Sequence, residues 1–130
     1  KTGQPEPAGR GQLLRCVLES LALEYNRRLE SIGELTGRKR RAIYLVGGGI
    51  HNQLLCQLTA SACGVPVHAG ADQCTALGNA LGQALALGIL KDRAEIRDVM
   101  RASSEIITYE PQDPSAWAER RDRYRNIQGR

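Results

Sequence analysis

An α/β fold containing a parallel strand, helix, strand unit is predicted by two observations. The run Ala42-Ile43-Tyr44-Leu45-Val46 is short, apolar and rich in β-branched and aromatic residues, with Arg38-Lys39-Arg40-Arg41 before it and Gly47-Gly48-Gly49 after it. Such a run reads as a strand buried on both faces, as in parallel sheets. A second short run, Val65-Pro66-Val67-His68-Ala69, follows a helical segment. Strand, helix, strand order needs a crossover, and a crossover makes a parallel pair. Two or three strands with flanking helices are expected.

The elements follow in chain order. Residues 1–11 have glycine or proline at positions 3, 5, 7, 9 and 11 and are expected as a linker. Residues 12–36 place Leu14, Leu18, Leu21, Tyr25, Leu29 and Ile32 at spacings of three and four, the stripe of a long amphipathic helix, with Gly37 as its stop. Arg38 to Arg41 put four positive charges beyond that helix, where they are favourable and read as a solvated corner. Asn52 is a good N-cap for a second helix that runs to Cys63, with Leu54, Leu55, Leu58 and Ala62 inward and Gly64 beyond its end.

Gly70-Ala71-Asp72-Gln73 forms the next turn. Residues 75–90 carry Ala76, Gly78, Ala80, Gly82, Ala84 and Ala86, small residues that suit an interior helix packed backbone to backbone. Residues 92–102 read as a surface helix with Ile96, Val99 and Met100 inward, and residues 104–109 as a short extended piece. Pro111 and Pro114 then break the chain, and Ser115 is expected to cap a charged helix containing Trp117 and Tyr124 that lies across the surface. The division expected is linker 1–11, a subdomain 12–109 and a helical tail 110–130.

Composition narrows the function classes. With 42% hydrophobic and 25% charged residues, the 130-residue chain suits one globular domain. A net charge of +4 raises nucleic acid as a partner, but 4% aromatic residues and no phenylalanine leave few platforms for base stacking. The apolar run from Ala76 to Leu90 is interrupted by Gly78, Asn79, Gly82, Gln83 and Gly88, too often for a membrane span. Cys16, Cys56, Cys63 and Cys74 lack the paired spacing of zinc sites, so reduced, mostly buried thiols in a cytoplasmic protein are expected. No metal site is read in this chain, and neither nucleic acid nor membrane is expected as a partner.

The glycine turn after the first strand carries the functional expectation. Glycine has no Cβ, so the chain can take positive φ and another molecule can approach the main chain closely. Strand, glycine turn and helix start together make a usual place for a nucleotide phosphate or ribose. A P-loop is excluded, because Gly47-Gly48-Gly49-Ile50-His51-Asn52 offers neither the lysine nor the hydroxyl. A dinucleotide fold matches weakly: Asn52 stands where a third glycine belongs, and Asp72 lies about twenty residues on. His51 and His68 read as structural or solvated groups.

Residues 43–80, with the long helix before them and Tyr109-Glu110-Pro111 after them, resemble the C-terminal region of FGGY carbohydrate kinases, most closely the rhamnulokinase branch. The shared features are Thr2-Gly3-Gln4-Pro5-Glu6-Pro7, the helix around Leu14-Arg15-Cys16-Val17-Leu18, the Val46-Gly47-Gly48-Gly49-Ile50-His51-Asn52 turn and Thr75-Ala76-Leu77-Gly78-Asn79. The resemblance implies part of a ribonuclease-H-like, actin-like ATPase domain that binds ATP, with Mg²⁺ in the complete enzyme. It implies nucleotide contacts from Gly47, Gly48, Gly49, Asn52 and Gln53, with Asn52 equally readable as a helix cap, and support from Thr75 and Gly78. Where the family often has Gly-Pro-Val-Glu, this chain has Gly70-Ala71-Asp72-Gln73, and Asp72 is assigned no catalytic role.

The family's catalytic aspartate and phosphate loops lie upstream of this region, and no Asp-x-Gly-Thr occurs in the 130 residues. The expectation is therefore the nucleotide-binding C-terminal portion of a sugar kinase, with ATP or ADP as partner and a ketose bound only with the N-terminal domain. Such a chain is expected to be inactive alone and to self-associate through strand 42–46. A free-standing dinucleotide-binding module and a noncatalytic interaction domain are the alternatives.

Overall fold

The computed structural model describes residues 5–70, 72–103 and 105–129. The Thr2-Gly3-Gln4 stretch, Ala71 and Ser104 lie outside the described residues. Helix α1 spans Arg10–Thr36, two residues earlier than its stripe suggests, and ends on Gly37 with a left-handed φ of 64°. Strand β1 (Ile43–Leu45) leads through a 3-10 turn at Gly48–His51 into α2 (Gln53–Cys63) and β2 (Val67–Ala69). Helices α3 (Cys74–Ala86) and α4 (Arg93–Ser103), strand β3 (Ile107–Tyr109) and helix α5 (Pro114–Gln128) complete the chain. The sheet order is β1-β2-β3. β1 and β2 are parallel in the register Ile43 to Val67, and β3 is antiparallel to β2 with Tyr109 opposite Val67.

Helix α2 is the centre of the packing. Asn52 accepts the Leu55 amide at 3.0 Å to start it, and Gly64 ends it with a φ of 65°. Its second half is buried on every side, from Leu58 to Cys63, because α1, the sheet and α5 all meet it. Leu54, expected inward, is exposed, whereas Cys56 in the same turn is buried.

α1 also differs from its expected face. The buried positions are Ala22, Leu23 and Asn26, while Leu14 and Ile32 at the ends of the stripe are exposed. A helix of 27 residues is about 40 Å long and one of 11 residues about 16 Å, so α2 can cover only the middle of α1. Glu30 then fixes the far side. It accepts from Asn26 Nδ2 at 3.0 Å and Arg125 Nη2 at 2.9 Å and pairs with Arg40 at 3.7 Å. Burial opposes ionisation of Glu30, but these donors outweigh it and hold the carboxyl below its ordinary range. Arg40 is thus bound to α1, and is not part of a solvated corner.

Three further expectations are corrected. β1 is an edge strand covered on one face only: Ile43 and Leu45 are half-buried, and Tyr44 is 71% exposed. Its ring lies 5.0 Å from that of His68, which meets Thr108 Oγ1 at 2.9 Å on the next strand. Helix α3 is not interior. Leu81 is its one buried residue, and a Cβ at Gly78 or Gly82 would meet nothing within 4 Å. Small residues permit close approach but do not supply the partner, and among the described residues α3 packs mainly on α4.

The last helix begins at Pro114, with Asp113 before it in left-handed conformation at φ 49°. Proline at the first helical position lacks only an amide that would be unpaired there, so it starts the helix instead of breaking it, and Ser115 is not the cap. Trp117 is 3% exposed and joins Ala22, Leu23, Leu58 and Ala62 in the core cluster. Of the cysteines, Cys56 and Cys63 are buried, whereas Cys16 is exposed and Cys74 half-buried. Burial pushes the Cys63 thiol up to about 11, away from nucleophile chemistry. No described helix is long and apolar enough to cross a membrane.

Candidate functional site

Because β1 and β2 are parallel, the loops after them emerge at the same end of the sheet. In α/β sheets that end is where ligands bind. The first loop is the glycine turn. The second begins at Gly70, whose amide bonds the Leu45 carbonyl at 3.1 Å and carries the parallel ladder to its limit.

The three glycines differ in what they do. Gly47 has φ 77° and ψ −170°, a conformation essentially confined to glycine. Its missing Cβ would stand 4.0 Å from the Asp72 carbonyl on the neighbouring loop. Gly48 and Gly49 have no such backbone requirement, and a Cβ on either would meet nothing within 4 Å. The turn is bonded to the chain that follows it: the Gly47 and Gly49 carbonyls accept from the Ile50 and Asn52 amides at 3.2 Å, and buried Cys56 Sγ lies 4.0 and 3.7 Å from the Gly49 and Ile50 carbonyls. The turn is therefore held from behind and left open in front.

A cleft of about 770 Å³ adjoins the turn, lined by Ile50, His51 and Gln53 on one side and by Asp72, Gln73 and Ala76 on the other. Glu105, before β3, lies on the same wall. Of the residues expected from the sequence, Gln53 lines the cleft directly. Gly47, Gly48, Gly49 and Asn52 stand beside it, and the Asn52 side chain is occupied as the α2 cap. Thr75 and Gly78 lie on α3 away from the lining, since Gln73, Ala76, Leu77 and Ala80 form the helix face that looks into it. Thr75 does not cap α3, which follows Gln73 without a side-chain cap. The period of three and four beginning at Gln73 is the sequence signal for the lining face.

One contact joins the two loops. His51 Nε2 lies 3.0 Å from Asp72 Oδ2. No cluster of three or more His, Cys, Asp or Glu among the described residues could hold a metal ion. The chemistry on offer is binding: open main chain, two amide side chains at Gln53 and Gln73, and the carboxylates of Asp72 and Glu105.

Residues 1–87 match the FGGY family of carbohydrate kinases, C-terminal domain. The chain is 46% identical over 116 residues to a rhamnulokinase of Bacteroides thetaiotaomicron, covering 89% of this chain and 24% of that protein. It is 40% identical over 113 residues to a rhamnulokinase of Klebsiella pneumoniae, covering 87% and 23%. A crystal structure of xylulose kinase from Rhodospirillum rubrum superposes over 98% of this chain and 25% of that one, with a TM-score of 0.73 at 25% identity. Gluconate kinase from Lactobacillus acidophilus shares the fold, with a TM-score of 0.75 at 20% identity over 98% of this chain and 26% of that one. The chain spans about a quarter of the length of the curated relatives it matches.

Proposed function

Because the chain belongs to the FGGY family of carbohydrate kinases, as its C-terminal domain with a ribonuclease-H-like fold, we propose that it forms the adenosine-binding side of an ATP-dependent, rhamnulokinase-like enzyme that phosphorylates a ketose. The observation that supports this reading is the open glycine pair. Gly48 and Gly49 are required neither by φ nor by any neighbour among the described residues, and they stand at the end of the parallel strands where α/β sheets bind ligands.

In this reading the main chain at Gly48 and Gly49 lies against the nucleoside, Gly47 sets the turn, and Gln53 offers its amide to the base or ribose. Asn52 acts by capping α2 and so holding the turn. Mg²⁺, when bound with ATP, neutralises charge that develops on the phosphates during transfer. This chain's residues hold and orient one end of the nucleotide; the general base and the γ-phosphate contacts come from the rest of the enzyme. The isolated chain then binds ADP or ATP weakly and transfers nothing.

Equilibrium dialysis of the purified chain against ATP, ADP and NADH tests the reading. Preference for the adenosine phosphates over NADH is the expected result. Binding of none of them would favour a noncatalytic interaction domain. Turnover of rhamnulose with MgATP above an enzyme-free control would overturn the assignment of catalysis to other residues.

A further inference from the structure

The His51 to Asp72 contact joins two loops that no hydrogen bond between backbone groups joins beyond Gly70 to Leu45 among the described residues. We propose that this pair is a brace that sets the distance between the glycine turn and the start of α3, and that His51 and Asp72 are positioning residues for the nucleotide. The inference rests on the nucleotide reading of the same cleft.

His51 is the last residue of the 3-10 turn that begins at Gly48, and its side chain is 69% exposed. Asp72 stands two residues before the first residue of α3 and lines the opposite side of the cleft. A bond between them spans the cleft near its glycine end. Moving the turn away from α3 would break it, so the brace favours one cleft width over others. The other titratable group on the cleft wall is Glu105, which has no charged partner within ion-pair distance among the described residues. A nucleoside lying on Gly48 and Gly49 would meet a cleft already near its bound width, and less ordering would accompany binding.

The spacing of the pair carries chemical information as well. Nε2 with a proton donates to the carboxylate whether or not the ring is charged, so a donor of similar reach can replace it. Glutamine at position 51 offers such a donor; alanine does not.

The test uses the full 130-residue chain and four variants: His51→Ala, Asp72→Ala, the double variant and His51→Gln. Amide hydrogen exchange of residues 47–51 is measured without nucleotide, and ADP dissociation constants by equilibrium dialysis. Exchange and the ADP dissociation constant are expected to rise about two- to fivefold in each alanine variant, the range for one exposed polar contact. The double variant should match the single ones, because both remove the same bond. His51→Gln should restore at least half of the difference. Exchange at residues 47–51 unchanged in all variants would overturn the brace. Changed exchange with an unchanged ADP constant would overturn its role in positioning. Absence of ADP binding to the parent chain would overturn the nucleotide reading and the positioning role with it, and the exchange result would still decide the brace.

Discussion

Arg121 Nη1 donates to the Ala62 carbonyl across 2.9 Å, so the last helix is bonded to the end of α2 as well as packed against it. Beside this bond Trp117 fills the space between α1 and α2, with the Arg120 guanidinium 4.8 Å from its ring centroid. A helix with few apolar residues is thereby anchored by one large one.

Trp117→Ala should cost about 3–5 kcal/mol, the range for removing a large buried aromatic side chain. Urea unfolding followed by far-UV circular dichroism measures it. A loss below about 1 kcal/mol, the size of an ordinary substitution, would mean that α5 is not part of the core.

The glycine turn separates backbone need from ligand need. Gly47→Ala should destabilise by about 1–3 kcal/mol, because its φ and ψ lie in a glycine-only region. Gly48→Ala and Gly49→Ala should change stability by no more than about 0.5 kcal/mol and yet weaken ADP binding. Thermal unfolding and dialysis on the same samples check both. Equal destabilisation at all three positions would remove the argument that Gly48 and Gly49 serve something outside the chain.

Local features of this fold were legible in the sequence and the environments of its faces were not. Asn52, Gly37 and Gly64 act through bonds within one or two turns, so each could be placed from its immediate neighbours. Tyr44, Gly78 and Trp117 depend on what lies across from them. Tyr44 is exposed because only the Ile43 and Leu45 side of β1 is covered, and Gly78 has no close neighbour among the described residues because close-packing residues do not name their partner. Trp117 was hard to place inward because one aromatic among arginines barely marks a helix face. His51 and Asp72 are twenty-one positions apart, and they meet only because parallel pairing brings both loops to one end. The glycine turn itself is visible as a turn, because positive φ at Gly47 needs a residue without Cβ. The cleft wall from Gln73 to Ala80 is harder to see, because small residues at helical spacing equally fit a packing face.

Glu24, with Glu30, makes α1 sensitive to acid. Hydrogen bonds from Arg27, at 2.6 and 2.8 Å, lower its carboxyl from 4.5 to about 2 against opposing burial, and Arg28 adds to the effect. A folded-state value below the unfolded one means that the stabilisation is present above pH 4.5 and is lost as pH falls through about 2. Glu24→Gln should therefore flatten the fall of the thermal midpoint between these pH values. Parallel falls in the parent and the variant would assign the acid sensitivity to other groups.

Among the described residues β1 pairs on one side only, which leaves a row of backbone groups at the sheet edge next to exposed Tyr44 and Val46. Such an edge accepts another strand. Sedimentation velocity should show concentration-dependent association of the parent chain and a monomer for Val46→Lys combined with Tyr44→Lys. A monomeric parent at all concentrations would show that the edge is not used between copies.

Arg125 reaches Glu30 and Tyr124 reaches Glu24 across 95 and 100 positions of chain. These bonds close a loop nearly as long as the molecule, and such closure is slow compared with local pairing. During synthesis, α1 and α2 leave the ribosome long before Trp117 does. The slot formed by Ala22, Leu23, Leu58 and Ala62 must then stay open to water until Trp117 is made.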